Sequence, residues 1–367
     1  MDNDFLNRLL VLAIQIQQIP SPTTDEKDRA EFVQGLFIKE GLLDVSGDPA
    51  GNVYGRLTGK GKEKPLIISA HLDTVFPRNT SLHATREESR IYGPGIGDNS
   101  LGVAALFGLL WILRERDLNL PGDIWLVANV GEEGLGDLRG MKAIVERFGR
   151  DVQAYLVLEG TALGHVYHRA IGVRRYRVTV QTAGGHSWSD YGQPSAVHEL
   201  AHLVTQITAL PVPTNPRTTL NVGLITGGTG INVLASEAML GLDLRSEKMD
   251  TLENLVQRVE EKIRSANQDG VNVEMDIIGE RPAGEIAVDH PLIKLADKCL
   301  SEQGLKAIFT SGSTDANVPL SLGYPGLVLG ITTGGGAHSV HEYIDTQPVD
   351  KGMEQLASFV SRVWDFR

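Results

Sequence analysis

Three short segments carry the acid and imidazole groups best suited to chemistry: His71-Leu72-Asp73, Gly97-Asp98-Asn99 and Gly131-Glu132-Glu133. Together they supply one imidazole and four carboxylates. A neutral imidazole with hard oxygen donors is the ligand chemistry of zinc or a related divalent ion. An adjacent glutamate pair permits a division of labour, in which one carboxylate holds a cation and its neighbour moves protons. Metal-assisted hydrolysis is the reaction type this points to.

The elements around these residues put several of them at strand ends. Residues 65–70 (Pro-Leu-Ile-Ile-Ser-Ala) form a short buried run that ends at His71. A second, residues 124–130, delivers Gly131-Glu132-Glu133, and a third, residues 154–158, ends at Glu159. Ligand sites of open α/β sheets lie at such carboxyl ends. Alternate residues of a strand share a face, so His71 and Asp73 can point into one site. In that reading His71 is a ligand and Asp73 holds its imidazole tautomer; the plainer alternative is a strand end with a surface ion pair. Asp98 lies in a glycine-rich loop before an apolar helix over residues 100–114, where it serves as a ligand or simply as the helix cap. The loop lacks Gly-Lys-Ser/Thr and carries an acid where a phosphate would sit, which excludes a nucleotide loop.

Other histidines are candidates as well. His338 and His341 sit in a glycine-led segment, residues 334–342, after a buried strand at 327–331. His186 follows Ala183-Gly184-Gly185 and reads either as functional or as an ordinary satisfied histidine.

Helices are expected over residues 4–18, where Pro20 stops the first, and over 25–41, 291–303 and from 350 onward. Between residues 173 and 278 the pattern changes to β-α-β-β-α-β, the split βαβ, ferredoxin-like order. The fold class is therefore α/β: a mixed-sheet α/β/α catalytic domain, residues 1–167 and 279–367, interrupted by an inserted ferredoxin-like domain, residues 168–278. A chain of 367 residues is long for one core, which agrees with two domains.

Composition narrows the partners. A formal charge of −12 argues against a nucleic-acid surface. A single cysteine, Cys299, excludes an intrachain disulfide and a thiolate cluster. The start, Met-Asp-Asn-Asp, has the wrong sign for a secretory signal, and the apolar stretch at residues 9–14 is too short to span a bilayer. The expectation is a cytoplasmic protein with no membrane partner. There is no Gly-x-Ser-x-Gly, which disfavours a serine hydrolase.

In this combination of motifs the chain resembles the metallopeptidase-20 family, which includes glutamate carboxypeptidase, peptidase T, aminoacylase, acetylornithine deacetylase and succinyl-diaminopimelate desuccinylase. The resemblance covers essentially the whole chain. It implies two divalent ions per subunit, zinc first and cobalt or manganese as alternatives. One would take His71, Asp98 and Glu159; the other Asp98, Glu133 and His338. The family spacing H-x-x-x-E selects His338 with Glu342 and ranks His341 second. Asp73 and Glu132 become the orienting and general-base carboxylates. The inserted domain becomes a lid and dimerisation domain: His186 stabilises the oxyanion in a neighbouring subunit, Asn232 touches substrate and Arg245 pairs with a substrate carboxylate. A departure is the Ser187-Trp188-Ser189 run, where relatives usually have small residues.

The implied reaction is amide hydrolysis of a small peptide or N-acyl amino acid by a homodimer. Glutamate at position 159 favours carboxypeptidase or deacylase chemistry. A peptidase T-like tripeptide aminopeptidase is the alternative, and a metal-free peptide-binding scaffold the reading from a different class.

Overall fold

The computed structural model describes residues 1–365. In chain order the main strands are β1 (Leu43–Gly47), β2 (Val53–Leu57), β3 (Glu63–His71), β4 (Gly122–Asn129), β5 (Ala154–Glu159), β6 (His165–Ala170), β7 (Gly172–Thr182), β8 (Thr218–Gly227), β9 (Glu237–Ser246), β10 (Val271–Arg281), β11 (Ile308–Gly312) and β12 (Gly326–Gly330). The helices are α1 (Asn3–Gln17), α2 (Lys27–Lys39), α3 (Leu101–Glu115), α4 (Arg139–Phe148), α5 (Ala196–Thr208), α6 (Met249–Ser265), α7 (Pro291–Glu302), α8 (Asn317–Ser321) and α9 (Val349–Arg362).

By contacts the chain forms two units: Met1–Ala170 together with the chain from Glu285 onward, and Ile171–Gly284. Strand β6 ends at Ala170, just before the second unit begins, and β10 ends at Arg281, just before it closes.

The first unit is built on a mixed sheet in the order β1-β2-β4-β3-β5-β12-β6, with β11 paired to β6. Strands β4, β3, β5 and β12 are mutually parallel, whereas β2 joins β4 and β12 joins β6 in antiparallel fashion. Leu66 to His71 of β3 and all of β12 are buried, as expected of parallel strands covered on both faces. Helix α3 is buried along most of its length and packs against α1, α9, β3 and β5. The stretch Ile96–Glu115 is long and apolar enough to cross a membrane, but 89% of its most apolar window is buried inside the fold, where it serves as the core helix. Helix α1 begins as a capped helix, with Asp2 Oδ1 accepting the Phe5 amide at 2.8 Å. It ends just before Ile19-Pro20, where proline disfavours a helical predecessor.

The strand expected through Val130 stops at Asn129, because the Val130 amide donates to Asn52 Oδ1 at 3.1 Å instead of a ladder partner. That early end frees residues 130–133 to turn. Strands β1, β6 and β11 and helix α4 were not expected.

The second unit is a four-stranded antiparallel sheet, order β8-β9-β7-β10, with α5 and α6 packed on it. Its own core includes Tyr176, Val178, Leu200, Leu203, Leu240, Leu242, Leu255 and Val259. Alternation along β9 buries Leu240, Leu242 and Leu244 toward the helices and leaves Asp243 and Arg245 on the other face.

Candidate metal centre

Parallel pairing sets the first ligands level. His71 at the end of β3 lies opposite Asn129 at the end of β4. The pairing of Ser69 with Val157 puts Glu159 at the same height on β5. Asp98 arrives from the loop before α3. It lies in a non-helical turn (φ −118°, ψ 84°) and its peptide bond to Asn99 is cis. It is not a helix cap, because its carboxylate is occupied elsewhere. Asn99 stitches that turn to the end of β5: its Nδ2 donates to the Leu158 carbonyl and its Oδ1 accepts the Gly160 amide, both at 2.8 Å.

Asp98 stands between two imidazoles. His71 Nε2 lies 3.0 Å from Asp98 Oδ1 and 3.7 Å from Glu159 Oε2. His338 Nε2 lies 3.2 Å from Asp98 Oδ2 and 3.2 Å from Glu133 Oε1. His71, Asp98 and Glu133 each offer a ligand atom within 4.8 Å of the others. His338, not His341, faces Asp98 and Glu133; His341 is exposed on the same loop. His338 is held with a left-handed backbone (φ 64°), which is unusual for a residue with a side chain.

Asp73 is fully buried and acts mainly on the glutamate turn. Its carboxylate accepts the amides of Glu132 at 3.0 Å and Glu133 at 2.9 Å, and the Thr23 hydroxyl at 3.0 Å. His71 Nδ1 sits 3.0 Å from the Asp73 carbonyl oxygen and 3.6 Å from its carboxylate. Beneath it, the buried Arg29 guanidinium donates to the carbonyls of Leu72 at 2.7 Å, Ile19 at 2.6 Å and Gln17 at 3.3 Å. Burial pulls its pKa down to about 10, against the opposing field of Asp73.

The electrostatics are those of crowded acids around two bases. Burial opposes the charged form of His71, yet Asp73, Asp98 and Glu159 outweigh it and hold its pKa well above the ordinary value. Hydrogen bonding to Asp98 and Glu133 raises His338 to about 10. Burial would raise Asp98, but His338 and His71 together pull it well below the usual range. Burial lifts Glu159 to about 7 despite His71. Glu133 Oε1 is buried and faces His338 Nε2 at 3.2 Å. Such an oxygen, beside a second carboxylate and an imidazole nitrogen, is suited to a divalent cation. The donor set, two imidazoles and three carboxylates, therefore fits two such ions.

The remaining sequence candidates lie in the second unit. His186 stands on the short strand Gly185–His186, which pairs with Val233–Leu234 and so sets it beside Asn232, whose carbonyl accepts the Ser187 amide at 3.0 Å. His186 Nδ1 accepts the Trp188 amide at 3.2 Å. Arg245 lies on β9, with its Nε 2.6 Å from Asp243 Oδ1; Asp243 also holds Arg175 at 2.9 Å.

Sequence reasoning passed over Arg29, Asn99 and the position-setting contacts of Glu342. Glu342 was noted only as part of the spacing after His338. Arg29 lies in a polar helix start, Lys27-Asp28-Arg29-Ala30-Glu31, where nothing in the sequence sets it apart.

Comparison with known proteins gives a consistent picture. Succinyl-diaminopimelate desuccinylase of Corynebacterium glutamicum is 24% identical over 367 residues, covering 98% of this chain and 97% of the relative. A tripeptidase of Staphylococcus aureus has a similar structure, with a TM-score of 0.83 at 22% identity and 98% of each chain covered. A dinuclear metal-binding peptidase of the M20 family from Bacillus subtilis aligns over 100% of both chains with a TM-score of 0.69 at 14% identity. The family model for Peptidase family M20/M25/M40 matches residues 67–362, from within β3 to the end of α9. Most of the chain, with every candidate ligand, falls inside that match, and the chain belongs to Peptidase family M20/M25/M40.

Proposed function

We propose that this chain is a di-metal hydrolase that cleaves an amide or peptide bond of a small peptide or N-acyl amino acid, in the manner of a carboxypeptidase or deacylase. Membership of the peptidase family supports metal-dependent hydrolysis in general. The observation that carries the finer reading is the two-sided Asp98 carboxylate, with one oxygen toward His71 and the other toward His338.

In this reading His71, Asp98 and Glu159 hold one ion, and Asp98, Glu133 and His338 the other. Zinc suits the nitrogen and oxygen donors, with cobalt and manganese as substitutes. The bound ions supply Lewis acidity and a lowered pKa for water. Glu132 is buried next to Glu133, with its amide fixed by Asp73. Its carboxylate takes the proton of the attacking water and returns it to the departing amine nitrogen. Asp73 keeps both glutamates in register. His186 reaches a neighbouring subunit's site and donates to the carbonyl oxygen as charge develops there, Asn232 contacts substrate, and Arg245 pairs with a free substrate carboxylate. The inserted unit is read as a ferredoxin-like lid that joins two subunits of a cytoplasmic homodimer.

Glutamate at position 159 favours N-acyl amino acids over tripeptides. The test is metal analysis of the purified protein, then hydrolysis of N-acyl amino acids, dipeptides and tripeptides before and after chelation. About two equivalents of metal and chelator-sensitive cleavage of N-acyl amino acids are expected. Cleavage that survives complete metal removal refutes the proposal, and preference for tripeptides refutes the substrate assignment.

A further inference from the structure

Glu342 belongs to none of the roles above, yet it holds the centre together. It is 1% exposed. Its Oε2 accepts the Gly95 amide at 2.7 Å, and its Oε1 accepts the amides of Gly97 and Asp98, both at 2.8 Å. Its carbonyl oxygen accepts a fourth amide, that of Gly93, at 2.9 Å. One residue thus binds four N–H groups of the loop that carries Asp98. Space is tight as well: a Cβ on Gly97 would lie 3.2 Å from Glu342 Oε1 and 2.7 Å from Thr161.

The other end of the argument lies four residues back. His338 belongs to the turn that Glu342 closes: the Ser339 amide donates to the Gly336 carbonyl at 3.0 Å, and the Glu342 amide to the Ser339 carbonyl at 3.1 Å. Tyr343–Asp345 then pairs with Arg90–Tyr92, just ahead of the Asp98 loop. The segments bearing Asp98 and His338 therefore meet at a single residue, whose carboxylate holds the Asp98 loop and whose backbone amide closes the His338 turn.

Resting on the di-metal reading, we infer that Glu342 is a positioning residue that couples the two ion sites: it fixes the shared ligand Asp98 and the turn of His338 at once. Loss of its carboxylate weakens both sites together, not only the one that includes His338. Glu342→Gln is the sharp probe because it keeps the shape. Three amide donors converge on two oxygens, and glutamine offers only one oxygen while its NH2 meets an N–H.

The experiment titrates zinc and cobalt into metal-free wild-type protein, Glu342→Gln, and a destabilised control, Leu356→Ala in the buried face of α9. Hydrogen–deuterium exchange of the segments 93–98 and 336–341 is followed in the same metal-free samples. Both affinities are expected to fall about 10- to 100-fold in Glu342→Gln, the range typical of residues that orient ligands. The absorption spectrum of the cobalt-loaded protein should change at both sites, and both segments should exchange faster. Leu356→Ala should lower thermal stability without either effect. Wild-type affinities in Glu342→Gln, loss confined to one ion, or unchanged exchange in both segments overturns the inference. Wild-type protein that takes up no metal overturns the di-metal reading itself and the coupling with it.

Discussion

Raising the pH from 7 to 8 should tighten metal binding far more than an ordinary histidine site would allow. Metals ligate neutral imidazole, so any proton on His71 or His338 must leave first. The metal-free protein holds both protonated: His71 well above its usual value against its burial, through Asp73, Asp98 and Glu159, and His338 at about 10 through Asp98 and Glu133. A raised pKa favours the protonated, metal-free form at low pH. Affinity therefore climbs as pH rises, and keeps climbing until the raised values are passed. Each proton displaced makes the apparent constant about tenfold larger per pH unit. His71, with 1% of its side chain exposed, should release about one proton. His338 has a side chain 56% exposed, so water screens its carboxylate partners and its share is smaller. The two imidazoles then release between about one and two protons, or roughly 10- to 100-fold between pH 7 and 8, and Glu159, lifted to about 7, adds a smaller share. Two imidazoles of ordinary pKa would each give only about 1.3-fold over the same interval. The assay is calorimetric titration of metal-free protein in buffers of different ionisation enthalpy, which counts the protons released. A count near zero, or an affinity flat between pH 7 and 8, would refute the claim that carboxylates hold these imidazoles charged.

Two further outcomes follow from the same geometry. Glu132→Gln should cut turnover by about 10²-fold or more, the range for loss of a general base, while metal content by elemental analysis stays at the wild-type level; normal kcat would remove Glu132 from the mechanism. Arg29→Met should destabilise the protein by about 3 kcal/mol or more in denaturant melts, because it leaves the buried carbonyls of Gln17, Ile19 and Leu72 without their donor. A variant of unchanged stability would show that those carbonyls find other partners.

Much of the centre was legible because strand ends carry a clear signal. Buried β-runs finish on His71 and Glu159, and one finishes just before Glu132-Glu133. The same logic fails where function lies in backbone contacts. Glu342 and Asn99 act on amides and carbonyls, which every residue possesses, so no partner side chain betrays them. Asp73 shows a subtler gap. Its place beside His71 shows in the sequence, whereas the further contacts of its carboxylate with the amides of Glu132 and Glu133 depend on where β4 ends. Strand β1 is mostly exposed and short, so it lacks the apolar alternation that marks a strand. Helix α4 is amphipathic, but it follows a glycine-rich turn that masks its start. The placement of β4 between β2 and β3 depends on crossovers, and no local pattern encodes it.

The inserted unit begins and ends on partnered strands, Val173 lying opposite Arg281 across an antiparallel pair. Residues so paired sit only about 5 Å apart, so the chain leaves its host fold and comes back at almost the same point. Removal of this module therefore leaves a gap that a short turn spans. The host's connectivity would survive such an excision, as it would not if entry and exit lay at opposite ends of a sheet.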